Sequence, residues 1–369
     1  MTQAVSLPSS SSTAFPRTHG FDNTLALLHE GYAFISNRCA ELGVDAFETR
    51  LGGRRVICMR GEAAARLFYG GDNFTRHRTT PPTVIHMLRE KGSVEQLDGE
   101  AHRWRKAMFM SLMTEARVDL LVDAIDAEWG KTPELRRMLC HAAARWIGLA
   151  PSQEMDDVLV PTETGAIQGV RLRHRAKAWA ERVIDDVRAH EIEVSRARPL
   201  AVLAEHRDEK GSLLVPRVAA VELLNLVRPI VSVARFVEFA VDAFRKHPVN
   251  AYDEDAVDRF VQEVRRLYPL FPAVAGRALR DLTFRGSRIE KGTLVLFDLY
   301  GTNHDPDIWT DPNNFHPERF KLDPPTAFDL VPQGAGDYLL DHRCPGEPIA
   351  IAIMKRCLQL MTTRGSLTS

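Results

Sequence analysis

The sequence predicts a mainly α-helical fold with small β regions, and three observations carry that expectation. Helical apolar spacing dominates the long stretches, above all residues 118–205 and 216–245, and it returns after Pro345. Strand-like character is concentrated in AFETRLGGRRVICM, residues 46–59, which reads as a small hairpin turning at Gly52 and Gly53. The chain has 369 residues, 44% of them hydrophobic, enough to bury one large core. It therefore reads as a single domain over residues 21–369 behind a disordered tail over residues 1–20.

Taken in order, residues 5–15 (SLPSSSSTAFP) are rich in serine and proline and lack the apolar core of a signal peptide. Leu25, Leu28, Tyr32 and Ile35 recur helically between Asp22 and Cys39 and predict an amphipathic first helix. After the hairpin, GEAAARLFYG (61–70) returns to helix and stops at glycine. In DGEAHRWRKAMFMSLM (98–113), His102 and Lys106 stand four apart on one helix face. Residues 171–177, RLRHRAK, read as a solvated basic face, and RDEKGS (207–212) as a loop.

The longest helix is expected over 216–245. There Arg228 shares a stripe with Val221, Leu224 and Ser232, a cation on a largely apolar face. Pro229 has no N–H to donate, so it should kink the helix at a typical cost of about 3 kcal/mol and free the carbonyl of Asn225. Glu222, Arg228, Pro229 and Arg235 interrupt this segment, which excludes it as a membrane span. A net charge of -1 argues against a nucleic-acid partner. Cys39, Cys58, Cys140, Cys344 and Cys357 are odd in number and lack paired metal spacing, which suits a reducing compartment; the protein is expected to be soluble and cytoplasmic.

The chemistry concentrates in VPQGAGDYLLDHRCPGEPIAIAIMK, residues 331–355. Gly334 and Gly336 permit tight bends, and a helical stripe of Ile349, Ile353 and Met354 follows Pro345 and Gly346. Cys344 thus precedes a helix, whose positive end favours a thiolate, either a nucleophile or a metal ligand. His342 is too close along the chain to serve as the activating base, and no hydrolase signature surrounds the cysteine. A thiolate with glycine next but one suits the proximal ligand of a haem iron, because a flat macrocycle needs side-chain-free backbone on that face. Elsewhere, His304 lies near Asp305 and Asp307 but lacks a further ligand helix, and no glycine-rich phosphate loop supplies a nicotinamide or flavin domain.

Upstream, Glu263 and Arg266 form an ExxR pair in FVQEVRRLYPLFP, and FHPERF (315–320) contributes Arg319. With the cysteine loop, these motifs make the sequence resemble the cytochrome P450 superfamily. The resemblance implies the haem-thiolate fold, haem b with its iron on Cys344, and Glu263, Arg266 and Arg319 locked together behind it. Arg76, His102 and Lys106 resemble the positions that meet the haem propionates, and His342 joins that cofactor-binding set. Where ordinary members carry an acidic residue followed by threonine at mid-helix, this sequence has Arg228-Pro229, the mark of the fatty-acid peroxygenase branch. The similarity covers most of residues 20–360.

That branch implies hydrogen peroxide and a long-chain fatty acid as reactants, no redox partner, and hydroxylation at carbon 2 or 3 with decarboxylation to a terminal alkene as a side reaction. Arg228 would hold the substrate carboxylate, which would act as general acid–base beside Pro229. Three departures stand out. The distal position where the family usually has glutamine or histidine falls on Glu95 or on its neighbour Gln96: Glu95 facing the iron would act as an acid–base group or repel a carboxylate, whereas with Gln96 in that place Glu95 is an exposed turn residue. Asp337 replaces the phenylalanine usual seven residues before the ligand, and the chain looks shortened in the middle and after the helix that follows Cys344. Two other readings are a reductase-dependent monooxygenase and a truncated, inactive haem- or fatty-acid-binding protein.

Overall fold

A computed structural model describes residues 14–77, 79, 92–161, 166–322 and 324–364. Residues 1–13 of the tail expected over 1–20 lie outside these, but its last part is ordered rather than free: Phe15 is buried, and Pro16 and Thr18 bond to the backbone of Glu48 at 2.8 and 3.1 Å. The chain opens with two helices, α1 (Thr24–Glu30) and α2 (Phe34–Leu42), separated by a 3-10 turn at Gly31–Ala33. The single first helix expected from Asp22 to Cys39 is therefore divided, because Gly31 takes a φ of 55° that ends the first segment. Leu25 and Leu28 are 81% and 74% exposed, so of the predicted apolar stripe Ile35 alone is buried.

The hairpin forms as expected. Strands β1 (Ala46–Leu51) and β2 (Arg54–Met59) pair antiparallel, and Gly52 and Gly53 supply the positive φ angles, 58° and 72°, that a two-residue turn requires. After α3 (Glu62–Tyr69) come β3 (Phe74–Thr75), β4 (Ala273–Ala278), a separate hairpin of β5 (Leu282–Phe284) and β6 (Ser287–Ile289), and β7 (Leu294–Asp298). The main sheet has the order β1-β2-β7-β4-β3, with β2 and β7 parallel and the other neighbours antiparallel. Phe68 stacks on Phe74 and Phe297 at centroid distances of 5.0 and 5.5 Å and fastens α3 to this sheet.

The helical body consists of α4 (Gly99–Ser111), α5 (Glu115–Glu128), α6 (Leu135–Ile147), α7 (Gln153–Leu159), α8 (Ala166–Arg188), α9 (Pro199–Ala204), α10 (Pro216–Ser232), α11 (Ala234–Lys246) and α12 (Glu254–Leu267). Short helices α13 (Leu299–Asn303) and α14 (Arg319–Leu322) follow, then α15 (Glu347–Arg364) after the cysteine loop. One continuous core joins these helices around Trp146, Phe236 and Phe260, none more than 1% exposed. Each such side chain contributes about 1.5–3 kcal/mol by leaving water.

The helix expected over 216–245 is two helices, and α8 is the longest in the described residues. The break comes at Val233, four residues past the proline. Its N–H is shared between the carbonyls of Pro229 (2.9 Å) and Ile230 (3.3 Å), the i→i+3 tightening that closes a helix. Pro229 is carried within α10, which packs between α6 and α8. No helix among the described residues is long and apolar enough to cross a membrane.

Candidate active site

The site is built on α12, α10, the turn before α4, and the cysteine loop. Helix α12 starts at Asp253, whose side chain accepts the Ala256 N–H at 3.0 Å, and it places Glu263 and Arg266 one turn apart near its end. Both are fully buried. Arg266 grips Glu263 through Nε (2.8 Å) and Nη2 (2.9 Å), while Arg319 Nε (3.2 Å) and the His316 N–H (2.8 Å) complete the carboxylate's shell. Arg266 Nη1 also donates to the carbonyls of Asn303 and Pro312, each at 2.7 Å. Burial acts to raise the pKa of Glu263, but the Arg266 bonds and charge, the His316 N–H and Arg319 outweigh it and hold the carboxyl below its ordinary range. The three residues expected to lock together do so.

The cysteine loop is held from both ends. Cys344 N–H donates to Gln333 O (3.0 Å), Gln333 Nε2 approaches Sγ at 3.6 Å, and Tyr338 Oη donates to Pro345 O at 2.7 Å. Gly336, with φ 88°, lies against Asp341, whose carboxylate accepts the Asp337 N–H at 2.7 Å. Arg265, 1% exposed, bridges Gln333 to Glu347 at the start of α15. That helix begins three residues after Cys344, so the sulfur is farther from the helix end than the sequence suggested. Burial pushes the Cys344 thiol up, and the Gly346 N–H and Gln333 amide only partly offset this. The anion therefore needs a cation on the sulfur, as a metal would provide.

The residues expected near the propionates separate into two roles. His102 is 5% exposed and stacks on His342 with ring centroids 3.8 Å apart. Burial, then the charges of Lys106 and Arg76, lower its pKa to about 4, so it is a neutral hydrogen-bonding group. Arg76 is 6% exposed, its guanidinium 4.6 Å from the Phe68 ring centroid and 5.0 Å from that of Tyr69. Among the described residues it has no carboxylate partner, and it lines a cleft with His102, Asp98, Asp341 and His342. Lys106, by contrast, donates to the carbonyls of Asp341 and, at 2.9 Å, Arg343. It braces the loop just ahead of Cys344.

On the other side, α10 is buried along most of its length, yet Asn225 and Arg228 are partly exposed and Pro229 and Ser232 exposed. These positions form one helical face, an opening within a core helix. The turn Val94–Gln96 carries Glu95, which is partly exposed and close enough to Cys344 for its charge to raise the thiol's pKa. Glu222 on α10 accepts from the Val94 N–H (2.9 Å) and from Arg105 Nη1 (2.6 Å), two contacts the sequence did not reveal.

A haem fits this donor set. A buried guanidinium with no carboxylate partner among the described residues suits an anionic group, and the sulfur of Cys344 with amide donors around it suits an iron ligand. When bound there, haem would be held by Cys344, Arg76 and His102, and it would supply a redox-active iron.

A family model described as cytochrome P450 matches residues 256–364. Among solved structures, the chain is similar to cytochrome P450EX alpha with myristic acid, at 36% identity and a TM-score of 0.89, covering 95% of this chain and 92% of that one. It is also similar to a variant of cytochrome P450 OleT in complex with arachidonic acid, at 31% identity and a TM-score of 0.87, covering 95% and 90%. The putative cytochrome P450 120 of Synechocystis sp. is 26% identical over 90% of this chain and 85% of its own length.

Proposed function

The chain belongs to the cytochrome P450 family, and on that footing we propose that it is a haem-thiolate peroxygenase that uses hydrogen peroxide to hydroxylate long-chain fatty acids at carbon 2 or 3. The observation that carries this reading is Arg228, next to Pro229 on the open face of an otherwise buried helix. A guanidinium there suits a carboxylate bidentately and fixes the acid end of a lipid. The carbons presented for oxidation are then those next to the carboxylate. The balance is simple: one C–H and one peroxide give one C–OH and one water.

Peroxide brings both the oxygen and the oxidising equivalents, so the reaction needs no electron-delivering partner. It does need a proton moved from one peroxide oxygen to the other. We assign that transfer to Glu95, the carboxyl group on the turn whose charge reaches Cys344, and the orientation of the substrate carboxylate to Arg228. Cys344 would hold the iron of a bound haem, and the Glu263–Arg266–Arg319 cluster keeps the polypeptide around α12 rigid.

The test compares peroxide-supported turnover of myristic acid by the haem-loaded protein and by Arg228→Ala, with products identified by mass spectrometry. The reading predicts 2- or 3-hydroxymyristic acid and loss of most turnover in the variant. Equal turnover by both proteins refutes the anchoring role. Oxidation that requires a nicotinamide donor and a reductase points instead to a monooxygenase.

A further inference from the structure

Of the charged residues of α10, Arg217 is exposed, Arg228 partly exposed and Glu222 completely buried. Burying a carboxylate is costly unless donors surround it, and Glu222 has three. Arg105 Nη1 on α4 lies 2.6 Å away, the Val94 N–H at the start of the turn 2.9 Å, and Asn225 Nδ2 one turn along α10 3.0 Å. Nothing in the proposed chemistry uses this group directly. Its partners nevertheless belong to the segments that carry Glu95 and Arg228.

Each bond does a definite job. The turn is short: Gln96 N–H reaches Ser93 O at 2.9 Å and Leu97 N–H reaches Val94 O at 3.4 Å, so its internal bonds do not tie it to α10. The Val94 N–H, one residue before Glu95, makes that tie. On α10, Pro229 cannot donate to the carbonyl of Asn225, which weakens the helix one turn below Arg228. The Asn225 side chain turns back to Glu222 at this weakened point. One carboxylate thus fastens the turn before α4, α4 itself and the proline-weakened part of α10.

We infer that Glu222 is a positioning residue that fixes the turn bearing Glu95 against the helix bearing Arg228. This rests on the reading that Glu95 and Arg228 act on the same bound fatty acid. The clamp sets the distance between proton donor and anchor, and loosening it lets the turn drift while both side chains remain.

The test uses the haem-loaded protein with Glu222→Gln, Glu95→Gln and the two combined. Glu222→Gln keeps the shape but has one acceptor oxygen where the carboxyl has two, so it cannot serve Asn225 Nδ2 and the Arg105–Val94 pair together and the three-way clamp is broken. Hydrogen–deuterium exchange of the Val94 amide is expected to speed up about tenfold, the factor associated with one net hydrogen bond. Peroxide-supported turnover is expected to fall about tenfold when Glu95 is present and less than about twofold when Glu95→Gln is already in place, the non-additivity of coupled sites. An unchanged exchange rate, or an equal fall in both backgrounds, overturns the inference. Should Glu222→Gln not fold, Glu222→Asp retains the charge with a shorter reach, and the same exchange measurement decides. If Glu95→Gln alone leaves turnover unchanged, the acid role of Glu95 is what fails, and Val94 exchange still decides whether Glu222 holds the turn.

Discussion

Replacing Glu263 by glutamine is the sharpest perturbation of the buried cluster at the end of α12. In the native protein the carboxylate receives two bonds from Arg266, one from Arg319 and one from the His316 N–H, all at 2.8–3.2 Å, with Glu263 and Arg266 fully buried. Glutamine keeps the size of the side chain but leaves two guanidinium groups without their counter-charge. Breaking a buried pair in this way costs about 3–5 kcal/mol, against a total stability of about 5–15 kcal/mol. The carbonyls of Asn303 and Pro312 still satisfy part of Arg266, so the lower end, about 3 kcal/mol, is expected for glutamine and the upper end for alanine.

Chemical denaturation followed by circular dichroism, with haem content measured alongside, is the assay. Because folding holds the Glu263 pKa below its ordinary value of 4.5, the carboxylate's stabilisation is complete above that value and is lost as pH falls through the lower, native one. The native protein should therefore lose more stability on acidification than Glu263→Gln. A glutamine variant with unchanged midpoint and unchanged acid sensitivity would refute this reasoning.

Further outcomes follow from the same geometry. Arg76→Leu removes a buried cation that has no carboxylate partner among the described residues, so haem should dissociate about ten- to a hundredfold faster, as loss of one charged hydrogen bond implies, while the haem-free protein keeps its melting temperature. Haem transfer to an acceptor protein measures this. Gly336→Ala forces a Cβ onto the Asp341 carboxylate at a φ of 88°, and it should cost about 1–2 kcal/mol in thermal unfolding. Lys106→Met frees the carbonyls of Asp341 and Arg343, and proteolysis within residues 337–343 should become faster.

Much of the site was legible because it rests on residues whose chemistry is local in sequence. Glu263 and Arg266 meet across one helical turn, Gly52 and Gly53 make their own turn, and Cys344 carries its glycine two residues away. What the sequence hid depends on partners distant along the chain. Glu222 looked like an interruption of an apolar helix, and only packing of α4 against α10 supplies Arg105 and Val94. Lys106 shared a helix face with His102, but the carbonyls of Asp341 and Arg343 lie more than 230 residues later and divert it from the propionates. Periodicity likewise ran on past Val233, because a shared hydrogen bond that ends a helix leaves the apolar spacing intact. Leu25 and Leu28 kept helical spacing, but among the described residues no neighbouring element covers them.

Oxidation of myristic acid with isotopically labelled hydrogen peroxide, in the absence of any reductase or nicotinamide, bears most directly on the pairing of Cys344 with Arg228. The expected outcome is one labelled oxygen on carbon 2 or 3, abolished by Cys344→Ser and strongly diminished by Arg228→Ala. Label scattered along the chain, or none incorporated by a protein that has bound its haem, would contradict it.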